Sequence, residues 1–490
     1  MDLRSTDILH RDERSPSGLS SPRIDDKALY RKIDAHILPL MFASYLLQSL
    51  DKIVINYANI MGLQEDLGMY GQQFSWVATS FYIAYTAGEF PQGCLLQIFP
   101  PAKVLGVNIV IWGILVCSTT ACENFASLLA VRTLLGFCES VIGPSLILVT
   151  SQWYTRRESI PRYGLWYCGL GASQILGGII SFAAQHGSRT ASFSSWRIMF
   201  VAVGSFNIVV ALLILLLLPK TPDVTPWLNE EEKKHIRERL ALDQAGTGRK
   251  VFQKKALVEA LFFDAQVWIL FVLTTLVLIP AGVIANFSAV MIKGFGYDSK
   301  SAALLNIPSG AVTIIAILGS TYAVMMEFPR YLCIIVLMVP AVLGAGLMSF
   351  YQGGKGGVLA GIYLLNFGTA PLVFIYSLCG TNTHGYTKKV ATNAIVGIAH
   401  GLGSVIGPQT FLSWEAPRYI SAKITLFGVD AAVIGVTVLL RLLYGWRNKE
   451  RVKERRAELD AISSGCVDPL ARDQEGEETD MRNKAFVYIY

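Results

Sequence analysis

Apolar residues in this chain are gathered into long stretches, and polar residues are concentrated in the segments between them. An α-helix needs about 20 mostly apolar residues to cross the hydrocarbon core of a bilayer. Twelve stretches fit that length, at 36–57, 74–98, 104–120, 125–150, 164–184, 196–218, 268–292, 302–325, 331–350, 358–379, 391–413 and 424–444. The pattern predicts an all-α membrane protein with twelve transmembrane helices in two six-helix bundles.

The composition agrees with this prediction. Hydrophobic residues make up 52% of the 490 residues and charged residues only 16%, whereas soluble domains carry about 25% charged residues. The net charge of +6 comes from basic residues in the tails and in alternate loops. The lipid bilayer is therefore an expected partner, and nucleic acid is not.

Basic residues in the loops predict the orientation. Lys and Arg precede the first stretch, follow the last one, and lie in the loops between stretches 2 and 3, 4 and 5, 8 and 9, and 10 and 11. Loops rich in basic residues stay in the cytoplasm, so both termini are expected there. Five basic residues in the second half run against the trend: Lys293, Lys300, Lys355, Arg418 and Lys423.

These boundaries divide the chain into five parts. They are a cytoplasmic tail at 1–35, the first bundle at 36–218, a cytoplasmic central loop at 219–262, the second bundle at 263–446 and a cytoplasmic tail at 447–490. In the central loop, acids followed by bases at 229–240 favour a surface helix, and 244–248 is expected to be a flexible linker. The charged C-terminal tail is expected to be disordered past Ser463.

The two halves carry small and helix-bending residues at corresponding places. Gly143 and Pro144 in the fourth stretch match Gly368 and Pro371 in the tenth, and the fifth and eleventh stretches both contain several glycines. Small residues allow helices to approach closely. Such correspondence between two six-helix halves is typical of secondary transporters.

Five ionisable residues interrupt the apolar stretches of the first half: Asp51, Lys52, Glu89, Arg132 and Glu139. A charge at the bilayer centre costs about 2.5–3.5 kcal/mol on insertion scales, so such residues usually face a partner or a water-filled cavity. Arg132 and Glu139 are seven residues apart, on one helix face and about 10 Å apart along the axis. They either line one cavity or pair separately with charges on neighbouring helices.

Adjacent residues point about 100° apart on a helix, so Asp51 and Lys52 cannot face one cavity equally well. The alternative places both at the outer mouth of the first helix, with Lys52 extended toward the membrane surface.

Four further residues are candidates for a cavity or a gate. Glu89 precedes Pro91, so it serves either the cavity or a bend in the helix. His400 either titrates near neutral pH or packs through a hydrogen bond. Arg162 and Glu158 lie on the expected cytoplasmic side. They either form salt bridges that close that side, or Arg162 lies there only because cytoplasmic loops are rich in basic residues.

The mixture of signs indicates a chemistry. A cation in a water-poor cavity attracts an anion, and Arg can hold a carboxylate through two hydrogen bonds. A buried carboxyl group can bind and release a proton, and the two fluxes are coupled if both occupancies bias one conformational equilibrium. The sequence contains no Walker-type phosphate loop, Cys/His cluster or nucleophile–base pair. We therefore expect no cofactor other than a coupling proton, no metal and no enzyme activity.

Short motifs identify a family. They are 31–40, Asp51 with Lys52, 62–68, Glu89 with Pro91, 132–136 with Glu139 and Pro144, Trp153 with Tyr154, Glu158, 162–164, Asn382 with Thr383, Gly385, 387–389, Asn393 with Ala394, and 406–409. Together they resemble the major facilitator superfamily, and within it the anion:cation symporter family, especially its fungal allantoate-permease-like branch. The resemblance covers roughly 32–447 and implies the major facilitator fold.

The resemblance also implies roles for four residues. In that family the acid of helix 1 and the glutamate of helix 4 are associated with proton coupling, which would fall on Asp51 and Glu139. The base of helix 1 and the arginine of helix 4 are associated with anion binding, which would fall on Lys52 and Arg132. This sequence departs from the family in having Lys52 where Arg is usual, which removes the two-bond geometry.

The leading hypothesis is a proton-coupled transporter that imports a small organic anion by alternating access. By resemblance the anion is allantoate, a related ureide or a carboxylate-bearing vitamin, the membrane is the plasma membrane, and the protein acts as a monomer. Two alternatives stay open: an exporter of a small metabolite with the same fold, and a nutrient receptor that does not transport its ligand.

Overall fold

The computed structural model describes residues 25–187, 194–245, 253–351, 353–416, 419–463, 479–481 and 486–490. Within these ranges the regular structure is helical, with no β-strand. The first half contains α1 (Asp26–Ile60), α2 (Gln73–Ile98), α3 (Pro101–Ala121), α4 (Phe125–Trp153), α5 (Arg157–His186) and α6 (Ser195–Leu217). The second half contains α7 (Ala265–Gly294), α8 (Ser299–Met325), α9 (Arg330–Phe350), α10 (Lys355–Asn382), α11 (Tyr386–Gln409) and α12 (Ile420–Ser463).

Eleven helices in the described part of the chain are long and apolar enough to cross a membrane. The remaining one, α2, is 26 residues long but contains Glu89 and three glutamines. It packs between α4 of its own half and α11 of the other, so its polar residues can face protein rather than lipid. The predicted fold of twelve helices in two bundles is confirmed.

The two halves meet along three helix pairs. Helix α5 packs on α8, α2 on α11, and α1 on α7. At the first of these contacts, Gly171 and Gly310 face each other so closely that a Cβ atom on either would collide with the carbonyl oxygen of the other. Only a residue without a side chain fits at these two positions, because the backbones of the two halves touch there.

Matching sequence features produce matching breaks in the two halves. Helix α4 is interrupted after Glu139 and resumes at Ile142, just before Pro144. Helix α10 is interrupted by a 3₁₀ turn at Asn366–Thr369, just before Pro371. Since proline lacks a backbone N–H, it favours a break at the preceding turn.

Several helices extend beyond the predicted bilayer segments. Helix α1 begins at Asp26 rather than at 36, where the Asp25 side chain accepts a hydrogen bond from the backbone N–H of Lys27. Helix α12 continues to Ser463 rather than ending at 444. Hydropathy locates only the apolar part of a helix, so the polar turns that begin α1 were not predicted, whereas the sequence does allow 450–459 to extend α12. The surface helix of the central loop is present as Glu230–Ala245, and the rest of the predicted linker, 246–248, lies outside the described residues.

The start of α1, the central helix Glu230–Ala245 and the end of α12 lie on one side of the bundle, which we call the terminal side; the other is the opposite side. The tail segments Thr479–Met481 and Phe486–Tyr490 lie against the second half on the terminal side. Disorder past Ser463 is therefore a wrong prediction for these eight residues, while 464–478 and 482–485 lie outside the described residues.

Candidate functional site

The four charged residues singled out on α1 and α4 form two ion pairs across the helix interface. Arg132 Nη1 lies 3.1 Å from Asp51 Oδ2, and Lys52 Nζ lies 3.6 Å from Glu139 Oε2. We call these four residues the charge-pair site. The adjacent residues Asp51 and Lys52 on α1 thus pair with two residues on α4 that are seven positions apart. Of the two interpretations of Arg132 and Glu139, separate pairing with charges on a neighbouring helix is the one that the geometry shows.

The charge-pair site is buried but unevenly so. The side chains of Asp51 and Glu139 are fully buried and that of Arg132 is 2% exposed, whereas the Lys52 side chain is 22% exposed. Lys52 is therefore the cation that a solute reaches first. Its position rules out the outer-mouth alternative, because its ammonium group points at Glu139 inside the bundle.

Several buried polar atoms of the charge-pair site lack a hydrogen-bond partner within the described part of the chain. Among the described residues, neither carboxyl oxygen of Glu139 has a hydrogen-bond partner, and neither does Nε or Nη2 of Arg132. Buried polar groups are normally satisfied, so exceptions require an explanation. Unused donors on a cation and unused acceptors on an acid are what a site for an anion and a proton would offer.

Aromatic rings surround the two cations. The Lys52 ammonium lies 5.0 Å from the ring centroid of Tyr85 and 5.7 Å from that of Phe81. The Arg132 guanidinium lies 5.5 Å from the centroid of Phe200. The negative faces of such rings stabilise cations that have lost part of their hydration.

A small cavity adjoins the cations on the opposite side. Its lining comes from both halves and includes Lys52, Ile55, Phe81, Tyr82 and Arg132 from the first and Asn286 from the second. A solute in this cavity would therefore contact both halves at once.

Hydrogen bonds between the halves close the opposite side. The Asn56 amide donates to Ser288 Oγ at 2.9 Å, and the Asn306 amide donates to Tyr57 Oη at 2.9 Å. All four side chains are buried. Because they lie between the charge-pair site and the opposite surface, they seal the site on that side.

Toward the terminal side, the interior is more open. Tyr376 of α10 is 44% exposed. Its hydroxyl group lies 3.4 Å from Nδ1 of His400. The half-buried Glu89 lies beside Gly397, one turn before His400. The structure thus brings Glu89 and His400, both predicted cavity residues, to one solvent-reachable region.

Arg162 and Glu158 lie elsewhere. The Arg162 guanidinium donates two hydrogen bonds, each of 2.8 Å, to the carboxylate of Asp34, and Glu158 pairs with Arg239 of the central helix. These contacts join α1, α5 and the central helix within one half. In this conformation the two residues therefore do not bridge the halves.

Sequence reasoning missed the residues of the seal and the exposed tyrosine. Asn56, Ser288 and Asn306 are uncharged, so they do not stand out from an apolar stretch as Asp51 does. The available signal was the placement of two asparagines inside membrane-length segments, where an unpaired amide is costly.

Comparison with known proteins places the chain among transporters. Residues 41–408 match the family model of the Major Facilitator Superfamily. The chain is 36% identical to the thiamine pathway transporter of Saccharomyces cerevisiae, over 94% of this chain and 86% of that protein. It is 30% identical to the allantoate permease of the same yeast, over 95% and 86% of the two chains.

A solved structure agrees with the fold. The proton:xylose symporter XylE matches with a TM-score of 0.65 and 12% sequence identity, over 84% of this chain and 95% of that one. At this identity the match concerns the fold alone. The family model and the sequence relatives show that the chain is a multi-pass membrane transporter and not an enzyme, and that it belongs to the major facilitator superfamily, in the fungal branch that includes allantoate permease.

Proposed function

We propose that this protein is a proton-coupled importer of a small organic anion in the plasma membrane, with both termini, and hence the terminal side, in the cytoplasm. The likeness to allantoate permease supports a small ureide or carboxylate as the substrate. The charge-pair site is the observation that carries the proposal.

The charge balance of the site connects the anion to the proton. The charges of two cations and two carboxylates sum to zero. In a water-poor interior an uncompensated charge is energetically unfavourable. A monovalent anion entering alone would leave one excess negative charge. If Glu139 takes a proton at the same time, the site stays neutral and Lys52 loses its partner. The site then accepts the anion and the proton together.

Each residue has a separate role in this scheme. Lys52, the more exposed cation, makes the first contact with the anion, and Arg132 adds its unused donors. Glu139 carries the proton. Asp51 holds the Arg132 guanidinium in place and is the second acid that can share the proton.

The closed opposite side and the more open terminal side support alternating access. Substrate would enter when the seal of Asn56, Ser288 and Asn306 opens, and would leave toward the cytoplasm in the conformation described above. Coupling requires that the protein convert between its two open conformations more readily with anion and proton both bound than with either one alone.

Uptake into proteoliposomes with an inside-alkaline pH gradient tests the proposal. The panel contains labelled allantoate, other ureides, small carboxylates, thiamine and cysteine. We expect gradient-driven accumulation of an anion, and a rise of about tenfold in KM in Lys52→Ala, the scale of one lost charge-assisted hydrogen bond. The control is Lys103→Ala, which removes an exposed cation at the start of α3.

Two results would count against the proposal. One is accumulation of only a neutral or cationic solute. The other is anion uptake with the same rate in the presence and absence of the pH gradient.

A further inference from the structure

The tail segments Thr479–Met481 and Phe486–Tyr490 are seated in the terminal-side end of the second half. Asp480 is fully buried and Tyr488 is 2% exposed. In the same segment, Val487 is 58% exposed. Buried and exposed residues alternate along 486–490. One face of this extended segment therefore packs against the second half.

A buried lysine holds the first segment. Lys388 of α11 is fully buried, and its Nζ lies 2.7 Å from Asp264, 2.9 Å from Glu259 and 2.9 Å from Asp480. We call these four residues the Lys388 cluster. Tyr488 donates a 2.9 Å hydrogen bond to the second carboxyl oxygen of Asp480. Both segments therefore meet at one buried point.

Two asparagines hold the backbone of the second segment. The Asn382 side chain, at the end of α10, donates to the carbonyl of Ile489 at 2.7 Å and accepts from its N–H at 2.8 Å. The Asn448 side chain of α12 makes the same pair of bonds with Tyr488, both at 2.9 Å. An amide offers a donor and an acceptor together, so each asparagine pairs with the tail as a neighbouring strand would.

Aromatic and backbone contacts complete the seat. The Tyr488 ring stacks on that of Tyr444, with centroids 5.4 Å apart and planes 12° from parallel. The Arg441 guanidinium lies 3.6 Å from the Tyr490 ring centroid. The N–H of Arg330, at the start of α9, donates to the Tyr490 carbonyl at 2.8 Å. The tail thus connects the ends of α7, α9, α10, α11 and α12.

We propose that the tail is an intramolecular latch that holds these five helix ends in the conformation closed on the opposite side, so that its release favours opening on that side. This inference rests on the alternating access of the proposed function. It goes beyond that proposal because the latch lies outside the charge-pair site and contacts neither of its ion pairs.

The break in α10 explains why a latch at this place would matter. The segment Pro371–Asn382 follows the 3₁₀ turn and can pivot there. The tail ties its last residue, Asn382, to α12 and α9. The polar and ring contacts of the described tail residues 479–481 and 486–490 go to the second half, so these residues restrain that half. Closing the terminal side by a pivot of Pro371–Asn382 toward the first half would move Asn382 away from α9 and α12, which the docked tail opposes.

Thiol labelling of purified protein in nanodiscs tests the latch. The reporter is Ile55→Cys in a background without the eight natural cysteines, since Ile55 is 2% exposed beneath the seal. Removing 479–490 should raise its labelling rate about fivefold or more, the lower end of ordinary coupling between sites. Tyr488→Ala should act in the same direction. The matched control, Val487→Ala, changes an exposed side chain of the same segment and should leave the rate unchanged.

A synthetic peptide with the sequence of 479–490 separates latching from damage to the fold. Added to the truncated protein, it should bind and restore slow labelling, and the same peptide with Tyr488→Ala should not. Equal labelling of the intact and truncated proteins, or a peptide that fails to bind or to slow labelling, would overturn the latch. Since labelling needs no substrate, these outcomes are independent of whether the transported solute is an anion.

Discussion

The charge-pair site and the Lys388 cluster are both buried groups of lysine and carboxylates, yet they differ in how completely the charges are matched. Lys388 contacts three carboxylates at 2.7–2.9 Å. Lys52 contacts one, at 3.6 Å, and stays partly exposed. In the first case the cation has no remaining capacity for a ligand; in the second it does.

This difference shows how to separate structural from functional charges in a membrane protein. A closely coordinated buried ion pair mainly restricts the geometry of its helices, and removing one partner is costly. A loosely coordinated one leaves donors and acceptors that a substrate or a proton can use. The contrast predicts that substitutions at the two places damage different properties.

The largest effect is expected at Arg132. Arg132→Ala should reduce uptake to the background of empty vesicles, because it removes the cation that we propose binds the anion and leaves Asp51 buried without a partner. Labelled-anion uptake and surface expression measure the two consequences separately. The double variant Arg132→Ala with Asp51→Asn should recover stability without recovering uptake, since it removes the stranded charge but not the need for the cation. Normal uptake by the single variant would contradict the assigned role.

The second-largest effect is expected on the stability of the protein, at the Lys388 cluster. Lys388→Ala should lower the free energy of unfolding by about 3–5 kcal/mol, the usual cost of breaking a buried pair, and with it the Tm of the purified protein. Lys254→Ala, which changes an exposed lysine nearby, is the control. An unchanged Tm in Lys388→Ala would show that the Lys388 cluster does not hold the second half together.

The smallest effect concerns pH and the tail. Burial raises the pKa of Asp480, with Asp264 adding to the rise and Lys388 opposing it. The docked tail therefore holds a proton more tightly than the free tail, so docking is most favourable below the ordinary pKa of an Asp, about 3.9, and weakens as pH rises through the raised pKa. Among the described residues, the other charged or titratable residues around Asp480 are Glu259, Arg447, Arg451, Tyr488 and His384.

Binding of the 479–490 peptide to the truncated protein, measured as a function of pH, checks this prediction. A peptide with Asp480→Asn should bind with a flatter pH dependence, because it has no proton to lose at that position. Identical pH profiles for the two peptides would locate the titrating group elsewhere.

The sequence was enough to find the charges but not their partners. Asp51, Lys52, Arg132 and Glu139 stand out because a charge in an apolar stretch must be compensated. Which acid meets which base depends on the relative rotation of α1 and α4, which no local pattern specifies. The same holds for Lys388, which the topology placed in a loop and the fold buried completely.

The tail shows the opposite kind of failure. Its charged composition predicted disorder, yet the five residues of Phe486–Tyr490 are apolar or aromatic. An average over the tail hides this run, which alternates between buried and exposed positions once docked. The helix count, by contrast, was accessible because membrane thickness alone sets the length of each stretch.

Uptake by Glu139→Gln, compared with the intact protein in the same proteoliposomes, tests the central claim most directly. The claim is that Glu139 carries the proton that accompanies the anion. The account predicts that the variant still exchanges labelled for unlabelled anion but no longer accumulates it above the outside concentration when a pH gradient is imposed. Gradient-driven accumulation at the normal level in Glu139→Gln would contradict it.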